Sequence, residues 1–169
     1  MEILEILTAE NPSRPDLPLI LESNNVELDI DASLHPEIVG QIERLKSGLF
    51  RVSANKTDHP YRKNFTVAHE LGHWFRHRDL LGTGTDDSKA YRAENIGKFY
   101  NTAIGPKGEA EANSFAAALL MPKKLVIEHH GPNFRDYAPN TAFQRLYHYF
   151  KVSPSAMRWR LNNLGLQHD

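Results

Sequence analysis

The sequence contains no cysteine, which excludes disulfides and thiolate ligands. Any bound metal ion must therefore be held by histidine, aspartate or glutamate, and the absence of cysteine fits a cytoplasmic protein. The chain also lacks an apolar run of about 18 residues, so we expect no membrane span. Its first residues are acidic and lack the basic and apolar regions of a signal peptide, which again favours the cytoplasm.

A strong net charge is absent as well, because 20 lysines and arginines oppose 21 aspartates and glutamates. This balance gives no general case for nucleic-acid binding. The charges are unevenly spread, however: positions 1–47 carry ten acids and three bases, whereas positions 123–169 carry seven bases and three acids. A local nucleic-acid contact by the basic C-terminal part stays open, but we do not expect it to be the main function.

The 169 residues, 40% of them apolar, are enough for one domain with its own core. Strict alternation over Val26–Asp31 predicts a half-buried strand. Two further β-like runs, 38–45 and 49–53, flank Lys46-Ser47-Gly48, which has the length of a hairpin turn. Short helices are predicted near residues 1–12 and 17–23, and residues 79–108 are predicted to be irregular. Longer helices are predicted at 64–78, 109–121, 123–130, 141–150 and 154–164.

The motif His69-Glu70-Leu71-Gly72-His73 lies in the first of these longer helices. Residues four apart share one helix face, so two imidazoles can hold one metal ion from the same side. Glu70 can reach a metal-bound water as general base. A surface helix with two histidines is the simpler alternative, but Val67, Leu71 and Trp74 indicate a buried face. Burial of two imidazoles and a carboxylate is costly unless a metal satisfies them.

A zinc enzyme needs a third protein ligand and an open position for water. The metzincin extension is excluded, because Arg76 and Asp79 occupy the positions of its glycine and third histidine. His77 lies four residues after His73 and so continues the spacing of four. It is two helical turns from His69, however, about 12 Å away. We therefore expect His77 to pack or hydrogen-bond at the end of the helix rather than to share the ion.

The remaining pattern takes a glutamate from a second helix. Glu109 and Asn113 are four apart, so Glu109 can bind the metal while the Asn113 side-chain oxygen accepts a hydrogen bond from a ligand histidine. Glu111 competes with Glu109, but it lies about 200° round the helix and its simplest interpretation is a solvated acid. Three acidic residues of the irregular segment also remain open as ligands: Asp86, Asp87 and Glu94.

These motifs together resemble the ImmA/IrrE family of zinc metallopeptidases. The resemblance covers roughly residues 36–166 and rests on the stretch 61–73 with the HExxH motif, on Glu109-Ala110-Glu111-Ala112-Asn113 through Pro122, and on the helical C-terminal part. It implies an α+β, zincin-like fold with a short twisted sheet on the HExxH helix. Residues 1–135 would form the metallopeptidase domain, and residues 136–169 a helical extension packed on it.

The resemblance also implies one Zn²⁺ per chain, held by His69, His73 and Glu109, with Glu70 as base. The implied substrate is a helix-turn-helix transcriptional repressor, cut at limited sites in a regulatory, stress or phage-type response. Asn64 departs from the arginine frequent in the family, and the segment between His73 and Glu109 is longer than in shorter members. Neither departure touches a predicted ligand.

The residue that steadies the oxyanion is not identified by the motifs. Tyr61, Tyr91, Arg92 and Tyr100 are candidates for oxyanion or substrate contact, and the strand that ends near Asn55 is a candidate edge for an extended substrate.

The alternative function is a DNA-binding or adaptor module with a structural metal site. The predicted helices at 141–150 and 154–164 could form a helix-turn-helix in which Arg158 and Arg160 face phosphates. His129-His130 could suggest a second metal site, but a favourable interaction with the end of its helix is the simpler reason.

Overall fold

The computed structural model describes residues 14–81, 89–93, 104–131 and 142–166. In these residues the chain forms helix α1 (Leu17–Ser23), strands β1 (Val26–Ala32), β2 (Ile38–Arg44) and β3 (Phe50–Asn55), helix α2 (Pro60–His77), a 3-10 helix (Arg78–Leu80), strand β4 (Lys89–Ala93), and helices α3 (Gly105–Leu120), α4 (Lys123–His130), α5 (Ala142–Phe150) and α6 (Pro154–Asn163). The α+β class predicted from the sequence is confirmed. None of the described helices is long and apolar enough to cross a membrane.

The chain divides into two compact units. The sheet unit comprises Asp16–Ala116, and the helical unit comprises Met1–Pro15 with Ala117–Asp169. The division falls inside α3, so this one helix contributes residues to both units. The domain boundary predicted between residues 135 and 136 lies outside the described residues.

The sheet has the strand order β1-β3-β2-β4. Strand β3 is parallel to β1 and antiparallel to β2, and β2 is antiparallel to β4. The predicted hairpin between β2 and β3 is confirmed: Leu45 N–H donates to the Leu49 carbonyl at 2.7 Å, and Gly48 takes the positive φ of 87° that the turn requires. Because β3 is an interior strand, the expectation that it offers a free edge is wrong. Among the described strands, β1 and β4 are the edges.

Strand β4 lies inside the segment that was expected to be irregular from residue 79 to residue 108. Its sequence, Lys89-Ala90-Tyr91-Arg92-Ala93, has no apolar alternation and few strong strand formers. Pairing with β2 makes it a strand, with Gly40 opposite Arg92 and Gln41 opposite Tyr91. Backbone pairing with a residue about fifty positions away leaves no local pattern in the sequence.

Helix α2 begins at Pro60, four residues before the predicted start at Asn64. The His59 imidazole accepts a hydrogen bond from Tyr61 N–H at 3.1 Å, and proline at the first helical position needs no N–H partner. The apolar side of the helix is buried, including Val67, Leu71 and Trp74. The early start adds a polar first turn, which explains why the apolar periodicity did not reveal it.

The helical unit follows its predicted pattern closely. Gly131, with φ of 66°, ends α4, and the Ser153 hydroxyl caps α6 by accepting from Ala156 N–H at 3.2 Å. Helix α3 begins at Gly105, earlier than predicted. Thr141, predicted as the cap of α5, and the predicted helix in residues 1–12 lie outside the described residues. The core of α5 and α6 consists of buried apolar side chains: Phe143, Leu146, Phe150, Met157 and Leu161.

Candidate metal centre

His69 and His73 lie on one face of α2, one turn apart. Their Nε2 atoms are 2.9 Å from each other, and the rings are perpendicular with centroids 4.6 Å apart. Each residue is only 1% exposed. Two imidazole nitrogens that converge in a buried place require a proton or a cation between them, because their lone pairs otherwise repel.

Glu109 reaches the same place from α3. Its Oε2 lies 3.2 Å from Nε2 of His69, and its Oε1 lies 3.3 Å from Nε2 of His73. The side chain is 24% exposed, so the carboxylate forms the more open side of the cluster. The structure thus brings together the three residues that the sequence predicts as ligands, from two different helices.

The three donor atoms fit the requirements of a zinc ion. Zn²⁺ binds nitrogen and oxygen at roughly 2.0–2.1 Å in a tetrahedron, whose donors are then about 3.3–3.4 Å apart. Here the two Nε2 atoms are 2.9 Å apart, and different oxygens of Glu109 lie 3.2 Å from His69 and 3.3 Å from His73. With one donor atom taken from each residue, all three atoms lie within 4.8 Å of one another. Two neutral imidazoles and one carboxylate form a donor set typical of catalytic sites, which leave the fourth position open.

Asn113 orients one of the two imidazoles. His69 Nδ1–H donates to Oδ1 of Asn113 at 3.0 Å, as the spacing of Glu109 and Asn113 predicts. A proton on Nδ1 leaves a lone pair on Nε2, the nitrogen that faces His73 and Glu109. Nδ1 of His73 is also buried, but it has no hydrogen-bond partner within the described residues. The two imidazoles are therefore held in different ways.

The Glu109 carboxylate experiences two opposed effects. Burial alone would raise its pKa, but hydrogen bonds and charge attraction from His69 and His73 outweigh burial and hold the pKa of Glu109 well below its usual range. The carboxylate is thus ionised at neutral pH, the state in which a glutamate binds a cation.

Glu70 is fully buried beside the two histidines on α2. Strand β2 passes close to it at Gly40, where an added Cβ would lie 3.6 Å from Oε1 of Glu70 and would clash with the Thr66 side chain. Any side chain at Gly40 would therefore force β2 away from the part of α2 that carries Glu70. The role of Gly40 was not predicted, although a glycine inside a strand is a signal of close approach.

Gly72, inside the motif, has the corresponding role toward α3. An added Cβ would lie 3.1 Å from Cα of Ala112 and 3.1 Å from a ring carbon of Phe115. The absence of a side chain lets the backbones of α2 and α3 approach. That approach brings Glu109, one turn from Ala112, within reach of the histidines.

Comparison with known protein families identifies the chain. The family model Peptidase_M78, described as the IrrE N-terminal-like domain, matches residues 50–162. The chain belongs to this family. The match includes α2 and α3 and hence all of His69, Glu70, His73 and Glu109, so the cluster lies in the part shared with a family of metallopeptidases. No curated protein matches the chain.

The other ligand candidates that the structure describes in this M78 chain, His77 and Glu111, are not part of the cluster. Nε2 of His77 lies 3.5 Å from Oε2 of Glu111, so the expectation that His77 packs at the helix end is confirmed. Glu111 is only 40% exposed and is not simply a solvated acid. The remaining acidic candidates lie outside the described residues: Asp86, Asp87 and Glu94.

The candidates for oxyanion or substrate contact are distributed over two elements. Tyr61 lies in the first turn of α2, where its ring packs at right angles on His59 with centroids 4.9 Å apart. Tyr91 and Arg92 lie in the edge strand β4. Tyr100 lies outside the described residues. The assignment of these residues to the oxyanion stays a prediction.

The helix pair proposed as a DNA-reading motif is present as α5 and α6, but its arginines have other contacts. Arg160 Nε–H donates to the Met121 carbonyl at 3.0 Å, and burial lowers the pKa of its guanidinium. The guanidinium of Arg158 lies over the Phe143 ring, 5.4 Å from its centroid. These contacts engage both arginines within the protein, although Arg158 remains exposed. His129 packs on Tyr149 with ring centroids 4.0 Å apart, and His130 Nδ1–H donates to the Gly131 carbonyl at 3.0 Å.

Proposed function

We propose that the chain is a zinc-dependent endopeptidase that cuts a protein partner at limited sites. The observation that supports this most strongly is the convergence of His69, His73 and Glu109 within a metallopeptidase family, with Glu70 next to the first histidine. The donor distances and the ionised Glu109 fit one Zn²⁺ per chain.

In the proposed reaction, His69, His73 and Glu109 hold the zinc. When bound, zinc lowers the pKa of water and polarises a carbonyl group. Glu70 takes the proton of the attacking water and passes it to the leaving amine. Asn113 keeps the proton of His69 on Nδ1, and the buried surroundings of Glu70 exclude bulk water from its carboxylate.

Strand β4 is the described edge best placed for an extended substrate. It pairs with β2, whose Gly40 adjoins Glu70, whereas the other edge, β1, is two strands away from β2. A peptide segment can add to such an edge through main-chain hydrogen bonds, without a demand for a particular sequence. Residue selection would then come from neighbouring side chains.

The proposed substrate is a helix-turn-helix transcriptional repressor, which would place the reaction in the cytoplasm. Support comes from the resemblance of the motifs to the ImmA/IrrE family. The burial of Glu70 and both histidines also supports a selective enzyme, because a site so enclosed disfavours rapid cleavage of arbitrary folded proteins.

The catalytic proposal is tested with Glu70→Gln, which preserves size and removes the base. Purified wild-type protein and the variant should both contain about one equivalent of zinc. Cleavage should fall by roughly 10²–10⁴-fold in the variant. Undiminished cleavage by Glu70→Gln would exclude the mechanism, and wild-type protein without zinc would exclude the metal site.

The substrate proposal is tested by digestion of a repressor encoded beside the gene, with unfolded casein as the comparison. We expect a few defined fragments of the repressor and slow digestion of casein. Rapid, unselective digestion of casein would contradict the proposal. Tight, sequence-specific DNA binding without any cleavage would instead favour the DNA-binding alternative, which the contacts of Arg158 and Arg160 disfavour.

A further inference from the structure

Helix α2 carries a third histidine one turn beyond the metal pair. The His77 side chain is only 12% exposed, although it lies at the last position of the helix. Its ring lies against that of His73, with centroids 5.7 Å apart and planes tilted by 48°. Burial of an imidazole has a cost unless contacts with its surroundings compensate for it.

The two ligand imidazoles differ in their hydrogen bonds, and this difference gives the contact between His77 and His73 its importance. Asn113 accepts from Nδ1 of His69, but Nδ1 of His73 has no hydrogen-bond partner in the described parts of the chain. The orientation of the His73 ring therefore depends on packing. His69 lies on one side of that ring and His77 on another.

His77 also contacts the turn of α3 that carries Glu109. Gly108 precedes Glu109 directly, and a Cβ built on Gly108 would lie 3.2 Å from Nε2 and 3.4 Å from Cε1 of His77. The imidazole thus occupies the space beside the Gly108 backbone. A change in its position would shift the backbone on which the Glu109 side chain is mounted.

A carboxylate on α3 lies next to His77. Oε2 of Glu111 lies 3.5 Å from Nε2 of His77, and Oε1 of Glu111 lies 3.9 Å from Nζ of Lys107 on the same helix. His77 and Glu111 therefore join α2 to α3 one turn away from the metal cluster. Neither side chain is among the three converging donors.

We propose that His77 is a positioning residue for the metal site: held by Glu111, it keeps the His73 ring and the Glu109 backbone in the geometry that binds zinc. The inference rests on the proposed function, since it assumes that His69, His73 and Glu109 bind the metal. Outer partners that orient metal ligands commonly contribute about 10–100-fold to metal affinity. His77 lies against the ring of the ligand His73 and beside Gly108, the residue before Glu109, so its loss should weaken metal binding.

The test measures zinc affinity by competition with a chromophoric chelator, which does not require activity. His77→Ala and Glu111→Gln should each weaken zinc binding by about tenfold. The double variant should be weaker by about the same factor, because both residues act through one contact. The visible spectrum of the cobalt-substituted protein should change in His77→Ala, since the donor geometry is altered.

Arg76→Ala is the matched control, because Arg76 adjoins His77 on α2 and is exposed. It should retain wild-type zinc affinity. Circular dichroism of the metal-free proteins checks folding, and Glu111→Gln provides a variant of unchanged shape if His77→Ala does not fold. The inference would be overturned if His77→Ala and Glu111→Gln both kept wild-type zinc affinity. It would also be overturned if Arg76→Ala lost as much zinc affinity as they do. Either result would leave the proposed function intact. Failure of the wild-type protein to bind zinc would overturn the proposed function as well.

Discussion

The sheet unit and the helical unit differ in what they bury. Within the described residues, the buried polar side chain of the helical unit is His130, which donates to the carbonyl of the next residue. Among its described side chains, the sheet unit buries eight polar residues: Gln41, Ser53, Asn55, Lys63, Thr66, His69, Glu70 and His73. Because such burial is costly without compensation, the second set needs a physical reason for each member.

Four members of this set show two different reasons for burial. Asn55 donates to the carbonyls of His35 and Ile38 and so holds the connection between β1 and β2. Lys63 forms an ion pair with Asp31 at 2.6 Å. The polar groups of Asn55 and Lys63 thus find their partners within the protein. His69 and His73 instead direct nitrogens at each other and at Glu109, an arrangement that a cation would satisfy. Convergence on one point, rather than burial, thus separates the functional residues from the structural ones.

The largest effect is expected from Glu109→Ala, which removes one of the converging groups. Since outer partners alone contribute about 10–100-fold, loss of a direct ligand should weaken zinc binding by on the order of 10³-fold. Zinc content after dialysis measures the effect. Glu128→Ala, an exposed acid of the helical unit, should leave zinc content unchanged. Full zinc in Glu109→Ala, with loss in Glu111→Ala instead, would show that the third ligand is wrongly assigned.

A core substitution in the helical unit should affect stability and not metal content. Leu146 is 2% exposed, so Leu146→Ala creates a cavity and should lower the free energy of unfolding by about 2–5 kcal/mol. Denaturant unfolding measures this change. The folded fraction should still carry about one zinc per chain. Loss of zinc from folded Leu146→Ala would mean that the two units do not have separate roles.

A smaller effect on both properties is expected from Gly72→Ala. Its Cβ would lie 3.1 Å from Cα of Ala112, so α3 must move, at a cost of about 1–3 kcal/mol. Zinc affinity should fall because Glu109 moves with α3. Gly48→Ala is the control: its φ of 87° makes alanine unfavourable by about 1–2 kcal/mol, but its surroundings are open. Equal loss of zinc affinity in both variants would contradict a specific role for Gly72.

The smallest effect is expected at the ion pair of Arg51 and Glu27 on the sheet. The atoms Nη2 and Oε2 are 2.6 Å apart, but the side chains are 39% and 43% exposed. Solvent screening limits such pairs to about 0–1 kcal/mol, so Arg51→Ala should change the unfolding free energy by no more than that. Zinc affinity should not change. A loss well above 1 kcal/mol would show that this surface contributes more than its exposure suggests.

Prediction from sequence succeeded where the relevant pattern is local. The spacing of His69 and His73 follows from the helical period, and the hairpin at Gly48 follows from two apolar runs around a short polar turn. Glu109 and Asn113 are also related by a helical spacing, and in the structure Asn113 accepts a hydrogen bond from His69. Strand β4 was missed because its residues pair with β2 across a long stretch of chain.

The sequence alone determined the chemistry that the chain has available: two imidazoles and a carboxylate on one helix, no thiols, and several acids that could complete the set. Helical spacing favoured Glu109 through its relation to Asn113, but it could not show which acid reaches the histidines, because that depends on the distance between separate helices. The close packing of α2 on α3 at Gly72 decided that distance, bringing the Glu109 carboxylate within 3.2–3.3 Å of both imidazoles and turning Glu111 to His77. Helical periodicity is encoded within a few residues, whereas the approach of two helices is a property of the folded core.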